Sequence, residues 1–365
     1  MKIGIINEVD DQRVALSPEI VRQFIANDNE ILIESDAGTS AYLPNATYKK
    51  SGATIMDTTN EVLAQADLIV TLHPIHEERW QHIKPEAILV SLFAPYVDET
   101  IPNKLKKESF TVFSLDMIPR TTQAQAMDVL SSMASIAGYR AVIEAANYLP
   151  RYFPMLSSAA GTVAPSKVLV LGAGVAGLQA IATARRLGAV VSAFDTRAAA
   201  KEEVQSLGAK FVEVEGARDD ASAGGYGVEQ TDDYKQRQQA LIQEKAAQSN
   251  VIISTAQVRG PKAPILVTKE TVEKMQPGSV IVDLAASTGG NCEVTVNNEV
   301  IHYSDVIIIG DSNLAEKVAT HASRMFAKNI YNFLNPMIKE GKFEPDWENR
   351  IVKESCIFTS EMTLA

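Results

Sequence analysis

The chain is short of most features that would place it in a specialised class. It has two cysteines, Cys292 and Cys356, neither in a CxxC or metal-like spacing. Such sparse usage fits a reduced, cytoplasmic setting better than a disulfide framework. No run approaches the ~18 apolar residues of a membrane span, so no direct membrane insertion is expected. The opening MKIGIIN reads as a strand, too short for the core of a signal peptide. Basic charge is not in excess: 34 Lys and Arg stand against 45 Asp and Glu, a net charge of −11. That argues against nucleic acid or an anionic membrane surface as the main partner and leaves open a protein partner with a basic face. Low-complexity tracts and short repeats are missing too. The five histidines, His73, His76, His82, His302 and His321, fall in no HxxxH spacing and no Ser/His/Asp order, so no bound metal is expected.

What is present is a globular composition, 46% hydrophobic and 22% charged over 365 residues, enough for two domains with ample cores. The most informative stretch is Lys167 to Asp195, KVLVLGAGVAGLQAIATARRLGAVVSAFD. A short apolar run leads into Gly172-x-Gly174-x-x-Gly177, then a helical stretch, Leu178 to Leu187, Gly188, a second apolar run and Asp195. Strand, glycine turn, helix, strand and acid follow in the order of a dinucleotide-binding βαβ unit. Gly172 allows the tight turn. Gly174 lets a pyrophosphate approach the backbone. Gly177 brings the helix close to the sheet. Val175 and Ala176 lie between the last two glycines and lead into the helix start, where N–H groups and the positive end of the dipole hold phosphates. Asp195, 18 residues beyond Gly177, would accept hydrogen bonds from both ribose hydroxyls and repel a 2′-phosphate, which predicts NAD over NADP. Arg197, two residues past Asp195 with Thr196 between them, complicates that reading, because an arginine there can accept a 2′-phosphate.

Along the chain, strand-like runs alternate with helices. The N-terminal third reads as strands at 2–6, 30–34, 53–56, 67–72, 87–93 and 110–116. Helices are expected to open at Ser17-Pro18-Glu19 and to cover 57–65 and 98–107. Residues 121–148 read as one long helix, 151–166 as irregular, and strands follow at 210–214, 251–255, 280–285 and 305–310. Residues 314–339 read as a helix kinked at Asn335-Pro336, and 344–365 as a polar tail with a strand-like piece near Ile351. The expected fold class is α/β: two Rossmann-like, doubly wound parallel-sheet domains joined by long helices. Residues 1–125 plus 325–365 would form an N-terminal domain completed by the C-terminal segment. Residues 126–324 would form the NAD(H)-binding domain with the interdomain helices.

Ligands in such sheets lie at the carboxyl ends of the strands. That rule adds Thr255 and Ala256 after one strand, and Asp283 and Leu284 before the loop Ser287 to Asn291; plain loop polarity is the alternative for both. Gln125, Asp128 and Ser131 recur every third residue and would share one helix side, with Arg120 just before them. Together they could hold a carboxamide and a ribose at an interdomain cleft, or they form a solvated helix face. The acidic, glycine-rich stretch 215–233 has almost nothing to bury. It reads either as a lid over the cofactor or as a flexible loop, with Tyr226 beside Gly225 as its only aromatic residue short of Tyr234.

Several of these stretches together resemble the NAD(H)-binding component, domain I or alpha subunit, of proton-translocating NAD(P) transhydrogenase. They are RVALSPE (Arg13 to Glu19), Arg120 to Ser131, AGYRA (Ala137 to Ala141), AAGT (Ala159 to Thr162), Gly172 to Gly188, MQPGSVI (Met275 to Ile281), GGNC (Gly289 to Cys292) and FAKN (Phe326 to Asn329). The resemblance covers nearly the whole chain. It implies a homodimer that binds NAD(H), docks on membrane-embedded subunits at the cytoplasmic membrane, and exchanges hydride directly with NADP(H) on a partner NADP(H)-binding domain while protons are translocated. It further implies that Arg120, Gln125, Asp128 and Ser131 contact the nicotinamide end, and that Tyr226 lies on a mobile loop closing over the cofactor. The chain is more distantly similar to alanine dehydrogenase. That enzyme's substrate lysine would fall near Thr71 to His73, its catalytic histidine near Phe93 and its loop aspartate near Ser287; Arg13 alone remains. Transfer between two nicotinamides moves no substrate proton, so it requires no general base, only close approach of the rings.

Overall fold

The computed structural model describes residues 1–98, 100–105, 108–197, 199–214, 232–257, 260 and 262–359. The chain divides into two compact units, Met1–Met133 with Ala315–Ala365, and Ala134–Leu314.

In the first unit, β1 (Lys2–Ile5), β2 (Glu30–Glu34), β3 (Thr54–Met56), β4 (Leu68–Val70), β5 (Ile88–Ser91) and β6 (Thr111–Ser114) are parallel to one another. Runs such as Leu68–Val70 and Ile88–Ser91 are buried throughout, as parallel strands covered on both faces must be. The helix Pro18–Ala26 begins at a proline, where the missing N–H costs nothing, and buries Ile20, Val21 and Phe24 on one side. The helix Thr59–Gln65 starts where Thr58 and Glu61 form a reciprocal capping box, two residues later than the sequence suggests.

The second unit carries a small hairpin, β7 (Leu156–Ser158) with β8 (Gly161–Val163), in the stretch that reads as irregular. Its sheet is built from β9 (Lys167–Leu171), β10 (Val190–Phe194), β11 (Lys210–Phe211), β12 (Val251–Ser254), β13 (Val280–Asp283), β14 (Val300–Tyr303) and β15 (Val306–Ile309). The order is β11-β10-β9-β12-β13-β15-β14, parallel except for β14. The hairpin joining β14 to β15 turns at Ser304 and Asp305, both at positive φ (48° and 60°). Two-residue turns of that kind usually announce themselves as Asn-Gly, which is why β14 goes unseen in the sequence.

The chain then returns to the first unit. Residues 314–339 are not one kinked helix. The helix Ala319–Leu334 gives way to a 3-10 turn, Asn335–Met337, at Pro336, and a hairpin of β16 (Ile338–Lys339) and β17 (Lys342–Phe343) follows. Ala322, Phe326, Ile330 and Phe333 of that helix are buried, and the Phe333 ring meets Phe113 edge-on at 5.8 Å. Each such large side chain contributes roughly 1.5–3 kcal/mol of burial. Ile351 lies not in a strand but in the helix Arg350–Ser355, whose Ile351 N–H is capped by the Asn349 side chain. The strand is the next segment, β18 (Cys356–Phe358), antiparallel to β6 at the sheet edge. The complete order is β18-β6-β5-β4-β1-β2-β3.

The long helix is shorter than its sequence suggests. It runs Val129–Tyr148, preceded by a separate 3-10 turn, Gln125–Met127. Asp128 between them is extended (φ −76°, ψ 93°). Its carboxylate accepts from the Ser131 N–H at 2.9 Å and hydroxyl at 2.6 Å, which caps the helix. Gln125, Asp128 and Ser131 therefore do not share one helix side, since the helical period starts after Asp128.

Candidate functional site

In the second unit the ends of four adjacent strands stand level: Phe194 beside Leu171, Leu171 beside Ser254, and Ser254 beside Asp283. The chain order reverses at β9, with β10 on one side and β12 on the other. This is the switch point at which such sheets form a crevice. The residues leaving these strands are Gly172 to Gly177, Asp195 to Arg197, Thr255 with Ala256, and Leu284.

Each glycine does separate work. Gly172 sits at φ +97°, and a Cβ there would stand 2.6 Å from Thr255 Oγ1. A Cβ on Gly177 would stand 1.8 Å from the Gly172 carbonyl oxygen, so the helix Val175–Arg186 meets the turn with no room for a methyl group. Gly174 is the opposite case: a Cβ there would meet nothing within 4 Å. Gly174 and Val175 are exposed and Ala176 half-buried at the helix start, where first-turn N–H groups have no intrahelical partner. A tight, strained turn with open space over its middle glycine fits a pyrophosphate.

Asp195 lies at the rim, its carboxylate 8% exposed, and accepts from the Ala173 N–H at 2.7 Å. The Arg197 N–H, Nε and Nη2 donate to it at 2.8, 2.9 and 3.0 Å. Burial alone would raise its pKa, but the Arg197 hydrogen bonds and charge outweigh it and hold the acid below the usual carboxylate range. Thr196 is exposed. Thr255 is bonded to the glycine turn, its Oγ1 donating to the Gly172 carbonyl at 3.0 Å and its N–H to the Leu171 carbonyl at 2.8 Å.

Asp283 behaves differently from the sequence expectation of a strand-end ligand. It is fully buried, and its carboxylate accepts from the N–H groups of Ala285, Asn291 and Cys292 at 3.1, 2.7 and 3.0 Å and from Thr295 Oγ1 at 2.8 Å. It organises the loop 284–295. Leu284, half-buried, donates its N–H to the Ser254 carbonyl. The residue that connects this loop to the crevice is Asn291, to which sequence reasoning assigns no role. Fully buried, it accepts from the Ala256 N–H at 3.0 Å and donates to the carbonyls of Ala256 and Pro264 at 2.8 and 2.9 Å. Its signal in the sequence is the pair Gly289-Gly290 just before it, both at positive φ. Gly225 and Tyr226 lie outside the described residues.

The remaining candidates belong to the first unit. Arg120 and Gln125 are exposed, and Asp128 and Ser131 are half-buried and bonded to each other. The turn that carries Gln125 is pinned by two asparagines of the return helix: Asn329 and Asn332 each donate from Nδ2 to the Ala126 carbonyl at 2.8 Å. Asn329 closes the FAKN stretch, and only the fold reveals what it holds. At the ends of β1 and β4, Arg13 forks onto Asp11, with Nη2 at 2.5 Å, and His73 Nε2 lies 2.8 Å from the same carboxylate. Phe93 is buried in the core. Among the described residues no group of three or more His, Cys, Asp or Glu side chains could hold a metal ion.

Two family descriptions cover the chain: Alanine dehydrogenase/PNT, N-terminal domain, over residues 4–137, and Alanine dehydrogenase/PNT, C-terminal domain, over residues 141–364. An NAD(P) transhydrogenase alpha-subunit protein of Rhodospirillum rubrum is 42% identical over 347 residues, covering 93% of this chain and 90% of that protein. The crystal structure of transhydrogenase from Sinorhizobium meliloti matches with a TM-score of 0.90 at 39% identity, over 98% of this chain and 99% of that one. An L-alanine dehydrogenase structure shares the fold at a TM-score of 0.79 and 23% identity, over 99% of this chain and 96% of that one.

Proposed function

The chain belongs to the alanine dehydrogenase/PNT family, on its NAD(P) transhydrogenase alpha-subunit branch, and from that premise we propose that it is the subunit that binds NAD(H) and exchanges hydride directly with NADP(H) held by a partner subunit. The observation that carries this reading is the crevice at β9, with its closed Gly172–Gly177 contact and open Gly174. Gly172, Gly174, Val175, Ala176 and Gly177 would hold the pyrophosphate. Asp195, with Thr196 and Arg197 beside it, would stand next to the adenosine ribose. Thr255 and Ala256 would line the path toward the nicotinamide, with Asn291 fixing Ala256 and Asp283 fixing the loop that carries Asn291. A dihydronicotinamide held by these residues would supply the hydride to the oxidised ring of the partner's cofactor. What the chain itself does is bind, orient and exclude water; no side chain has to take a proton.

Arg120, Gln125, Asp128 and Ser131 are assigned to the nicotinamide end by family likeness. Their local structure supports a division of labour. Asp128 and Ser131 are engaged with each other and set the start of the helix, while Gln125, exposed on a pinned turn, has an amide able to donate and accept. The second unit is the NAD(H)-binding domain in this reading.

In this reading the chain works as a homodimer docked on membrane-embedded subunits at the cytoplasmic face, with proton translocation coupled to the transfer. The hairpin of β7 and β8 supports self-association. Every residue of its two strands is exposed, and Met155, Leu156 and Val163 present apolar surface that a second copy would cover. No helix among the described residues is long and apolar enough to cross a membrane.

Titration calorimetry with NADH tests the binding half. The isolated chain is expected to bind NADH, and to produce no NADH above background from alanine and NAD. Turnover of alanine at about 1 per second or more would reinstate an amino-acid dehydrogenase.

A further inference from the structure

Asp195 is engaged by more donors than a ribose would leave room for. Its Oδ1 accepts from the Arg197 N–H at 2.8 Å and from Nε at 2.9 Å, and its Oδ2 accepts from the Ala173 N–H at 2.7 Å and from Arg197 Nη2 at 3.0 Å. A carboxylate offers about four lone-pair sites, and these four donors take them all. Nη2 reaches further, to the Ala173 carbonyl at 3.1 Å. Two of the donors are backbone groups fixed by the turn. The two that can leave belong to the Arg197 side chain, which is 34% exposed against 8% for the carboxylate. The acid is the anchored partner and the guanidinium the mobile one.

The end of the second strand in such a unit receives the adenosine ribose. A ribose with free hydroxyls asks for acceptors. A ribose carrying a 2′-phosphate asks for a cation, and a guanidinium fork matches phosphate oxygens in pairs. Both kinds of group are here, bonded to each other. We propose that Asp195 and Arg197 form a specificity latch over a latent 2′-phosphate site: Arg197 is the receptor that NADP(H) would use, and Asp195 keeps it engaged. The inference rests on the second unit being a dinucleotide site. NADP(H) is then refused not for want of a cation but because the cation is already held.

The latch differs from simple repulsion in one consequence. If the carboxylate only repels, neutralising it helps NADPH whatever stands at position 197. If Asp195 leashes Arg197, neutralising it helps NADPH only while Arg197 is present. Calorimetry of the full chain with NADH, NADPH and 2′,5′-ADP reads this directly. Asp195→Asn and Asp195→Ser are both used, since either residue can still accept from the Ala173 N–H. The wild type is expected to bind NADH and to bind NADPH at least ~10-fold more weakly. Either single variant is expected to gain ~10-fold or more for NADPH and 2′,5′-ADP, the scale of one charge-assisted contact. Adding Arg197→Gln is expected to abolish the gain. A gain that persists in the double variants, or no gain in either single variant, overturns the latch while NADH binding by the wild type leaves the dinucleotide reading standing. A wild type that binds no NADH overturns both.

Discussion

Glu8 shows how one buried acid can set a property of its whole unit. Its two carboxylate oxygens accept from the Leu72 and His73 N–H groups at 2.7 and 3.2 Å, and burial pushes its pKa up to about 7. His73 is raised as well, first by its hydrogen bond to Asp11. Asp11 moves the other way: burial would raise it, but Arg13 and His73 hold it far below the usual range. A group raised on folding stabilises the fold most below its unfolded pKa and loses that contribution as pH rises through the folded one. The contribution of Glu8 is therefore lost as pH climbs through about 7, and that of His73 as pH rises above its ordinary value. The loss tied to Asp11 comes only in strong acid, below its ordinary value. The unfolding free energy from urea titration, and its midpoint with it, is expected to fall between pH 5.5 and 8, by about 2 kcal/mol for Glu8, and Glu8→Gln should remove most of the fall. A wild-type midpoint that rises over this range contradicts the assignment. At this scale the sequence was least legible. An acid closing a strand looks the same whether it faces a ligand or its own loop, and the N–H groups of Ala285, Asn291 and Cys292 that claim Asp283 converge only after folding.

Among the elements, the glycine turn makes the sharpest pair of predictions. Gly177→Ala would drive a Cβ to 1.8 Å from the Gly172 carbonyl, so the helix must move off the turn. A loss of roughly 3 kcal/mol or more is expected in thermal unfolding. Gly174→Ala meets nothing within 4 Å, and its φ of −75° suits alanine. Its stability should stay within about 1 kcal/mol of wild type while NADH affinity falls ~10-fold or more, because the added methyl fills the space over the turn. Wild-type NADH affinity in Gly174→Ala would remove the pyrophosphate from that space. This βαβ unit was legible because local rules and tertiary demands coincide: β9 and β10 fall where the residues put them, while the helix, Val175–Arg186, opens three residues before the expected Leu178, directly after Gly174. The stretch 121–148 was not, because apolar periodicity alone carried a helix through Asp128. A capping aspartate outside the helix and an interior one have the same spacing, and only the extended backbone at Asp128 separates them. The tail failed similarly, with Ile351 helical and the strand displaced to Cys356–Phe358.

On the scale of the whole molecule, the chain returns from its second unit to finish the first, with the helix Ala319–Leu334 in the core and β18 on the sheet edge. Alternation of strand and helix made two parallel sheets legible, but not which late segment would close which edge, since that pairing spans hundreds of residues. The same return fixes the turn bearing Gln125, through Asn329 and Asn332. The net charge of −11 disfavours nucleic acid as a partner. The central claim is that the hydride goes from NADH on this chain straight to NADP on the partner. It is tested by mixing the chain with the NADP(H)-binding partner subunit, NADP and NADH deuterated at both C4 positions, then weighing the NADPH by mass spectrometry. NADPH carrying one deuterium per molecule, formed only when both proteins are present, is the expected result. Unlabelled NADPH, or none above the single-protein controls, would contradict the account.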